Sequence, residues 1–112
     1  MAITGTVRAS GTLLGLAGGS KQLEIEWVIG TGIANIQSLT FATNTTVTIP
    51  SGTTLLVIVP PTGNANALTL KGVAGDTGVA MHKTKPTIIA LDSSPTVVVN
   101  AGASTVCECW FI

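Results

Sequence analysis

The sequence predicts an all-β protein, one antiparallel sandwich or barrel of about eight strands. Three observations carry this expectation. β-Branched residues fall in short runs from residue 21 onward, Gly, Pro and Asn clusters separate those runs, and helix signals are nearly absent. A chain of 112 residues makes one domain, or one domain plus an arm. At that size roughly 60 to 70% of the surface of the unfolded chain is buried, so a real core forms without staples.

Residues 1–20 are small, rich in Gly, Ala and Thr, and end in Gly18-Gly19-Ser20, which reads as a flexible joint. They form either an arm that crosses to a neighbour or an edge strand followed by a loop. The expected organisation is therefore an N-terminal segment, 1–20, and a sandwich domain, 21–112. Residues 21–29 alternate: Leu23, Ile25, Trp27 and Ile29 share one face, and Gln22, Glu24, Glu26 and Val28 the other, which makes Trp27 a core candidate. Further strands are expected at 36–42, 46–49, 53–59, 67–71, 87–91, 96–99 and 104–112.

Two of these strands need covering on both faces. In 53–59, Leu55, Leu56, Val57, Ile58 and Val59 are consecutive, so the cover comes from within the domain or from a partner subunit. In the last strand, Cys107, Cys109 and Phe111 share one face, and Val106, Glu108, Trp110 and Ile112 the other. If the cysteine face is core, Trp110 and Ile112 form an exposed apolar pair, covered by a partner or by the N-terminal segment. A similarity at a separation of 50 residues matches Thr46, Val47, Ile49, Gly52 and Thr54 with Thr96, Val97, Val99, Gly102 and Ser104. It suggests two similar strand-turn-strand units facing each other across a sandwich, although β-rich compositions also repeat by chance.

Composition points to a life in contact. Only 9% of residues are charged, five basic and five acidic, while 18 are threonine, so the polar surface is built from hydroxyls. Ordinary domains carry about 25% charged residues. A neutral, hydroxyl-rich surface suits a protein pressed against copies of itself or against another protein. Zero net charge without a basic stripe argues against nucleic acid as a partner. No stretch reaches the roughly 20 apolar residues of a membrane span. No convincing signal peptide is present, so synthesis in the cytoplasm is expected. Two cysteines at i and i+2 do not make a disulfide framework.

The sharpest chemical motif is Asp76-Thr77-Gly78, because aspartic proteases carry their catalytic aspartate in such a turn and the retroviral-type members dimerise to bring two together. Against it, Val73-Ala74-Gly75 is not a strongly apolar strand and only 34 residues follow. The plainer reading is a tight loop in which Asp76 bonds nearby backbone amides and the glycines supply positive φ. Gly75-Asp76-Thr77-Gly78 also resembles the Gly-Asp-Ser-Gly of trypsin-like proteases, but threonine replaces the nucleophile. Cys107, Cys109 and His82 fall one ligand short of a closed zinc site, and thiols on an apolar strand face are inert core residues as a rule. No catalytic residue, cofactor or metal is therefore expected. Met81-His82-Lys83-Thr84-Lys85-Pro86 is the basic cluster of the chain, a solvated loop or a docking point for an acidic surface.

Residues 44–112 resemble the small β-sandwich structural proteins of tailed-bacteriophage virions, above all capsid decoration and head or tail accessory proteins. The resemblance lies in Thr46-Val47-Thr48-Ile49-Pro50-Ser51-Gly52, Leu55-Leu56-Val57-Ile58-Val59-Pro60-Pro61, Leu68-Thr69-Leu70-Lys71-Gly72, and Gly75-Asp76-Thr77-Gly78 followed by a strand led by Pro86. It implies a jelly-roll-like sandwich, assembly as a homotrimer or on symmetry axes, docking on a major virion protein such as the capsid protein, and a place in the virion. The expected function is non-enzymatic. The expected contact residues are Leu13 and Leu14 in the N-terminal segment, Leu56 and Ile58, the loop residues His82, Lys83 and Lys85, and Trp110 with Ile112. The alternatives are a carbohydrate- or receptor-binding sandwich of a phage tail or fibre and, third, a dimeric aspartic protease using Asp76.

Overall fold

Along the strand Thr105–Phe111, Thr105, Cys107, Cys109 and Phe111 are buried while Val106 and Glu108 are exposed, the period-2 pattern of a strand with one face on a core. The same logic builds the whole domain. The computed structural model divides into two units, Met1–Ala34 and Asn35–Ile112. It describes residues 35–92 and 96–112 in full, and of the first unit the backbone of two strands, β1 (Gly5–Leu16) and β2 (Gly19–Ile29).

The second unit holds eight strands: β3 (Asn35–Phe41), β4 (Thr45–Thr48), β5 (Leu55–Val59), β6 (Leu68–Lys71), β7 (Val79–Met81), β8 (Thr87–Ala90), β9 (Thr96–Ala101) and β10 (Thr105–Phe111). They form two four-stranded sheets, in the orders β3-β10-β5-β8 and β4-β9-β6-β7. Every pairing is antiparallel. The pairs β3 with β10, β4 with β9, β5 with β8 and β6 with β7 are those of one long hairpin folded over on itself, so that its two arms alternate between the sheets. That is the jelly-roll arrangement of a β-sandwich. No helix occurs among the described residues.

Both sheets feed one core. Phe41, Leu56, Ile58, Cys107, Cys109 and Phe111 come from the first sheet, and Val47, Leu68, Met81, Val97, Val99 and Ala101 from the second, with Ile49 beside them. Leu56 and Ile58 thus lie between the sheets, paired in register with Phe111 and Cys109.

Several expectations change. Within the first unit β1 pairs with β2 from Gly5 opposite Ile29 to Leu16 opposite Gly19, and the chain divides after Ala34 rather than at residue 20. β7 was not expected, because a three-residue strand is too short to show a period, and Met81 is the one buried residue in it. The repeat units lie side by side rather than across the sandwich. β4 and β9 are neighbours with Val47 opposite Val97, and β5 and β10 are neighbours in the other sheet, so a local twofold relates them. The side chain of Trp27 lies outside the described residues.

Candidate functional site

The outward faces of the two sheets differ in chemistry. On the second sheet, Thr46, Thr48, Thr96, Thr69, Asn100 and Lys71 alternate with the core residues, and in register Thr48 faces Thr96, Thr69 faces Asn100, and Thr46 and Lys71 flank Val98. This is the hydroxyl-rich surface that composition foreshadows. On the first sheet, one rung crosses all four strands as Ile36, Trp110, Val57 and Ile88. Ile36 is 45% exposed and Ile88 43%. Trp110 is half-buried, and its indole Nε1 donates to the Glu108 carboxylate two residues back on the same face. The next rung along the strands pairs Leu55 with Ala90, and the far end carries Val106, 52% exposed, opposite Thr40.

The expected contact residues therefore divide. Trp110 stands on this apolar outer face. Leu56 and Ile58 do not: both are fully buried in the core, so on that face of the strand the cover comes from the opposite sheet, while Leu55 and Val57 on the outward face are buried as well. Ile112 is also buried. Its carbonyl accepts from the backbone N–H of Thr54 at 2.7 Å and of Leu55 at 3.0 Å, and its own N–H donates to Leu55 O at 2.9 Å. It extends the β5–β10 ladder instead of presenting an apolar tip. The side chains of Leu13 and Leu14 lie outside the described residues, and of the two it is Leu13 that has a register partner, Lys21. Sequence reasoning missed Ile36, Ile88 and Val106. The alternation Ile36-Ser38-Thr40 was a usable signal, but in Ile88-Ile89 two adjacent isoleucines hide which one faces out.

His82, Lys83 and Lys85 are brought together in the exposed loop between β7 and β8. His82 Nδ1 accepts from the backbone N–H of Thr84 at 3.1 Å and of Lys85 at 3.0 Å, and Asn64 Nδ2 donates to Lys83 O at 2.8 Å. The loop is thus shaped by its own hydrogen bonds, with both lysines exposed. Asn64 in turn accepts from Asn66 N–H, and Asn66 Nδ2 reaches the buried Thr105 Oγ1 at 2.9 Å, which ties the loop back to β10.

The Asp76 motif is a turn. Asp76 Oδ2 accepts from Val73 N–H at 3.0 Å, and Asp76 N–H returns a bond to Val73 O at 3.1 Å. Gly78 closes the turn at φ 78°, while Gly75 is not among the positive-φ glycines. Beside the turn, Lys71 Nζ donates to Asn44 Oδ1 and to Ala74 O, and Asn44, itself at φ 47°, donates its N–H to Asn100 Oδ1. Lys71, Asp76, Thr77 and Val79 line an open, shallow hollow there.

Cys107 and Cys109 are free and buried. Burial pushes both thiols up. Cys109 reaches about 12 through burial first, then the neighbouring Cys107 and Glu108. Such thiols are neither nucleophiles nor ready metal ligands. Among the described residues no group of three His, Cys, Asp or Glu side chains converges to hold a metal ion.

Compared with known proteins, the chain matches no family model, no curated protein and no solved structure.

Proposed function

We propose that this chain is a non-enzymatic structural protein of a tailed-phage virion, synthesised in the host cytoplasm and acting as a capsid decoration or stabilising protein that assembles with itself, as a homotrimer, on a major virion protein. The observation that carries the reading is the two-sidedness of the sandwich. One outer face is mostly threonine and asparagine around Val98 and Lys71, and the other is crossed by an apolar rung, buried at Val57 and exposed at its ends Ile36 and Ile88, with Glu108 as its single charge among the described residues. A sheet face of that kind is a contact surface more often than a solvated one. The charge-poor composition and the texture shared with phage decoration proteins support the same reading. Fold by itself does not, because jelly rolls also serve as lectins and enzymes.

The test is co-sedimentation. Purified protein is mixed with phage heads lacking it, and saturable binding in a fixed ratio to the major capsid protein is the expected result. Retention on glycans or whole bacteria without head binding would instead favour the receptor-binding alternative, for which the amide-lined corner of Asn44, Asn100 and Lys71 is the natural place. Peptide hydrolysis lost on Asp76→Asn would favour the protease alternative and overturn the structural one.

A further inference from the structure

We infer that the loop between β7 and β8 is a pH-operated switch, closed around a neutral His82 and opened when that imidazole takes up a proton. The inference concerns the basic loop and stands apart from the assembly reading. Its base is a single nitrogen atom. His82 Nδ1 lies 3.1 Å from Thr84 N and 3.0 Å from Lys85 N. A backbone N–H can only donate, so Nδ1 in this geometry can only accept, which makes the ring neutral with its proton on Nε2.

Protonation reverses the role of that nitrogen. An imidazolium carries a proton on both ring nitrogens, so Nδ1–H then points at two other donors and both bonds are lost. The Thr84 hydroxyl, 3.4 Å from the same nitrogen, is a group that can accept the new proton. The ring therefore has two arrangements with the same neighbours: it is bonded by two backbone amides when neutral and by one hydroxyl when charged. Histidine is the side chain whose ordinary titration falls between about pH 5 and pH 8, so mild acid is enough to drive the change.

The surroundings confine the change without opposing it. Asn64 Nδ2 donates to Lys83 O at 2.8 Å and to Asn66 O at 3.0 Å, and Asn66 Nδ2 reaches Thr105 Oγ1, so the loop is anchored at Lys83. Pro86 and the start of β8 at Thr87 fix the far end. What swings is Thr84 and Lys85. Both are exposed, so their released N–H groups pass to water and the fold as a whole is spared.

Charge pushes in the same direction. The charged groups that face His82 are Lys83 and Lys85 of its own loop. The 60–67 stretch that packs on the loop through Asn64 has no titratable side chain, and neither has β8. On β6 the titratable residue is Lys71, past the other end of β7, since Leu68 is opposite Met81 and Leu70 opposite Val79. Among the described residues the ring bonds only to Thr84 and Lys85, so no carboxylate pairs with it. Protonation thus gathers three positive charges, on His82, Lys83 and Lys85, in one short loop, and their repulsion favours the open form.

The experiment is amide solvent exchange of the full chain, read by NMR between about pH 8 and about pH 5, with each rate set against that of an unstructured chain at the same pH. Protection is the readout because the shift of any amide near a titrating ring changes whether or not its bond breaks. Wild type should lose protection at Thr84 and Lys85 together, by about fivefold or more, with the midpoint of the His82 ring itself. His82→Asn, whose Oδ1 can accept from the same amides and does not titrate, should keep both protected over the whole range. His82→Ala should leave both unprotected at every pH. The site is exposed, and melting curves establish that both variants are folded. Protection at Thr84 and Lys85 that stays constant, whether high or absent, while the ring titrates overturns the inference. So does a His82→Ala protein as protected as wild type at the alkaline end, because another acceptor then holds the loop.

Discussion

Gly78→Ala is the substitution that most directly tests the backbone of the second sheet. Gly78 leads into β7 at φ +78°, where a Cβ would stand 2.5 Å from Leu70 O, 2.7 Å from Lys71 Cγ and 2.8 Å from Thr69 Cγ2. An L-residue in the left-handed region costs about 1 to 2 kcal/mol. The overlap with a backbone carbonyl, which cannot swing aside as a side chain can, adds about 1 to 3 kcal/mol, as overpacking does elsewhere. Gly63 separates the two terms, because its φ is +71° and a Cβ added there would meet nothing within 4 Å. Gly63→Ala should therefore show the conformational cost alone. With about 4 to 8 °C of Tm per kcal/mol for a domain of this size, an excess of about 2 kcal/mol places Gly78→Ala roughly 8 to 16 °C below Gly63→Ala in Tm. Thermal and urea melts of the two variants measure it. Equal destabilisation of both would refute the close approach of residue 78 to β6, and with it the β6–β7 pairing.

Two further outcomes follow from buried groups. Because Cys109 moves from an ordinary 9.0 to about 12 in the fold, the native state holds its proton where the unfolded chain has lost it. Stability is thus full below pH 9 and falls as pH rises from 9 toward 12, by about 1.4 kcal/mol per unit for this one group. Urea melts at pH 8 and pH 10 should show the drop, Cys109→Ala should reduce it to the share of Cys107, whose thiol burial also raises, and a thiol reagent at pH 8 should label Cys107 and Cys109 only in denaturant. Thr105→Val removes an Oγ1 that donates to Ala103 O at 2.8 Å and accepts from Asn66 Nδ2 at 2.9 Å. The loss should be about 1 to 3 kcal/mol, because the Asn66 amide is left without its acceptor in a part-buried site. Thr46→Val on the exposed outer face should stay within about 0.5 kcal/mol, and equal effects at the two sites would sink the distinction.

How much of this was legible can be seen residue by residue. The strand at 104–112 and its two faces follow from alternation, with Cys107, Cys109 and Phe111 on one and Val106, Glu108, Trp110 and Ile112 on the other, but alternation leaves open which face is core, and the burial of the cysteines decides it. Strand β5 is different. Leu55, Leu56, Val57 and Ile58 are all buried, and an uninterrupted apolar run carries no phase that tells the core face from the outer one. Leu56 and Ile58 therefore look the same in sequence as Leu55 and Val57, and only their register partners, Phe111 and Cys109, mark them as core. The Asp76 turn was readable as an Asx-type loop, whereas β7 next to it was not, because three residues hold less than two periods.

Whatever depends on near neighbours could be read along the chain: the all-β class, the strand positions from residue 35 onward apart from β7, the Asp76 turn, and the scarcity of charge. Those properties rest on side-chain alternation and turn chemistry, which act over a few residues. Whatever depends on residues far apart in the chain emerged only on folding. Folding set which strands share a sheet, placed Val47 opposite Val97, buried Ile112 and the core face of β5, and aligned Ile36, Trp110, Val57 and Ile88 in one rung. Cross-strand register is a property of pairs, and no single strand carries it.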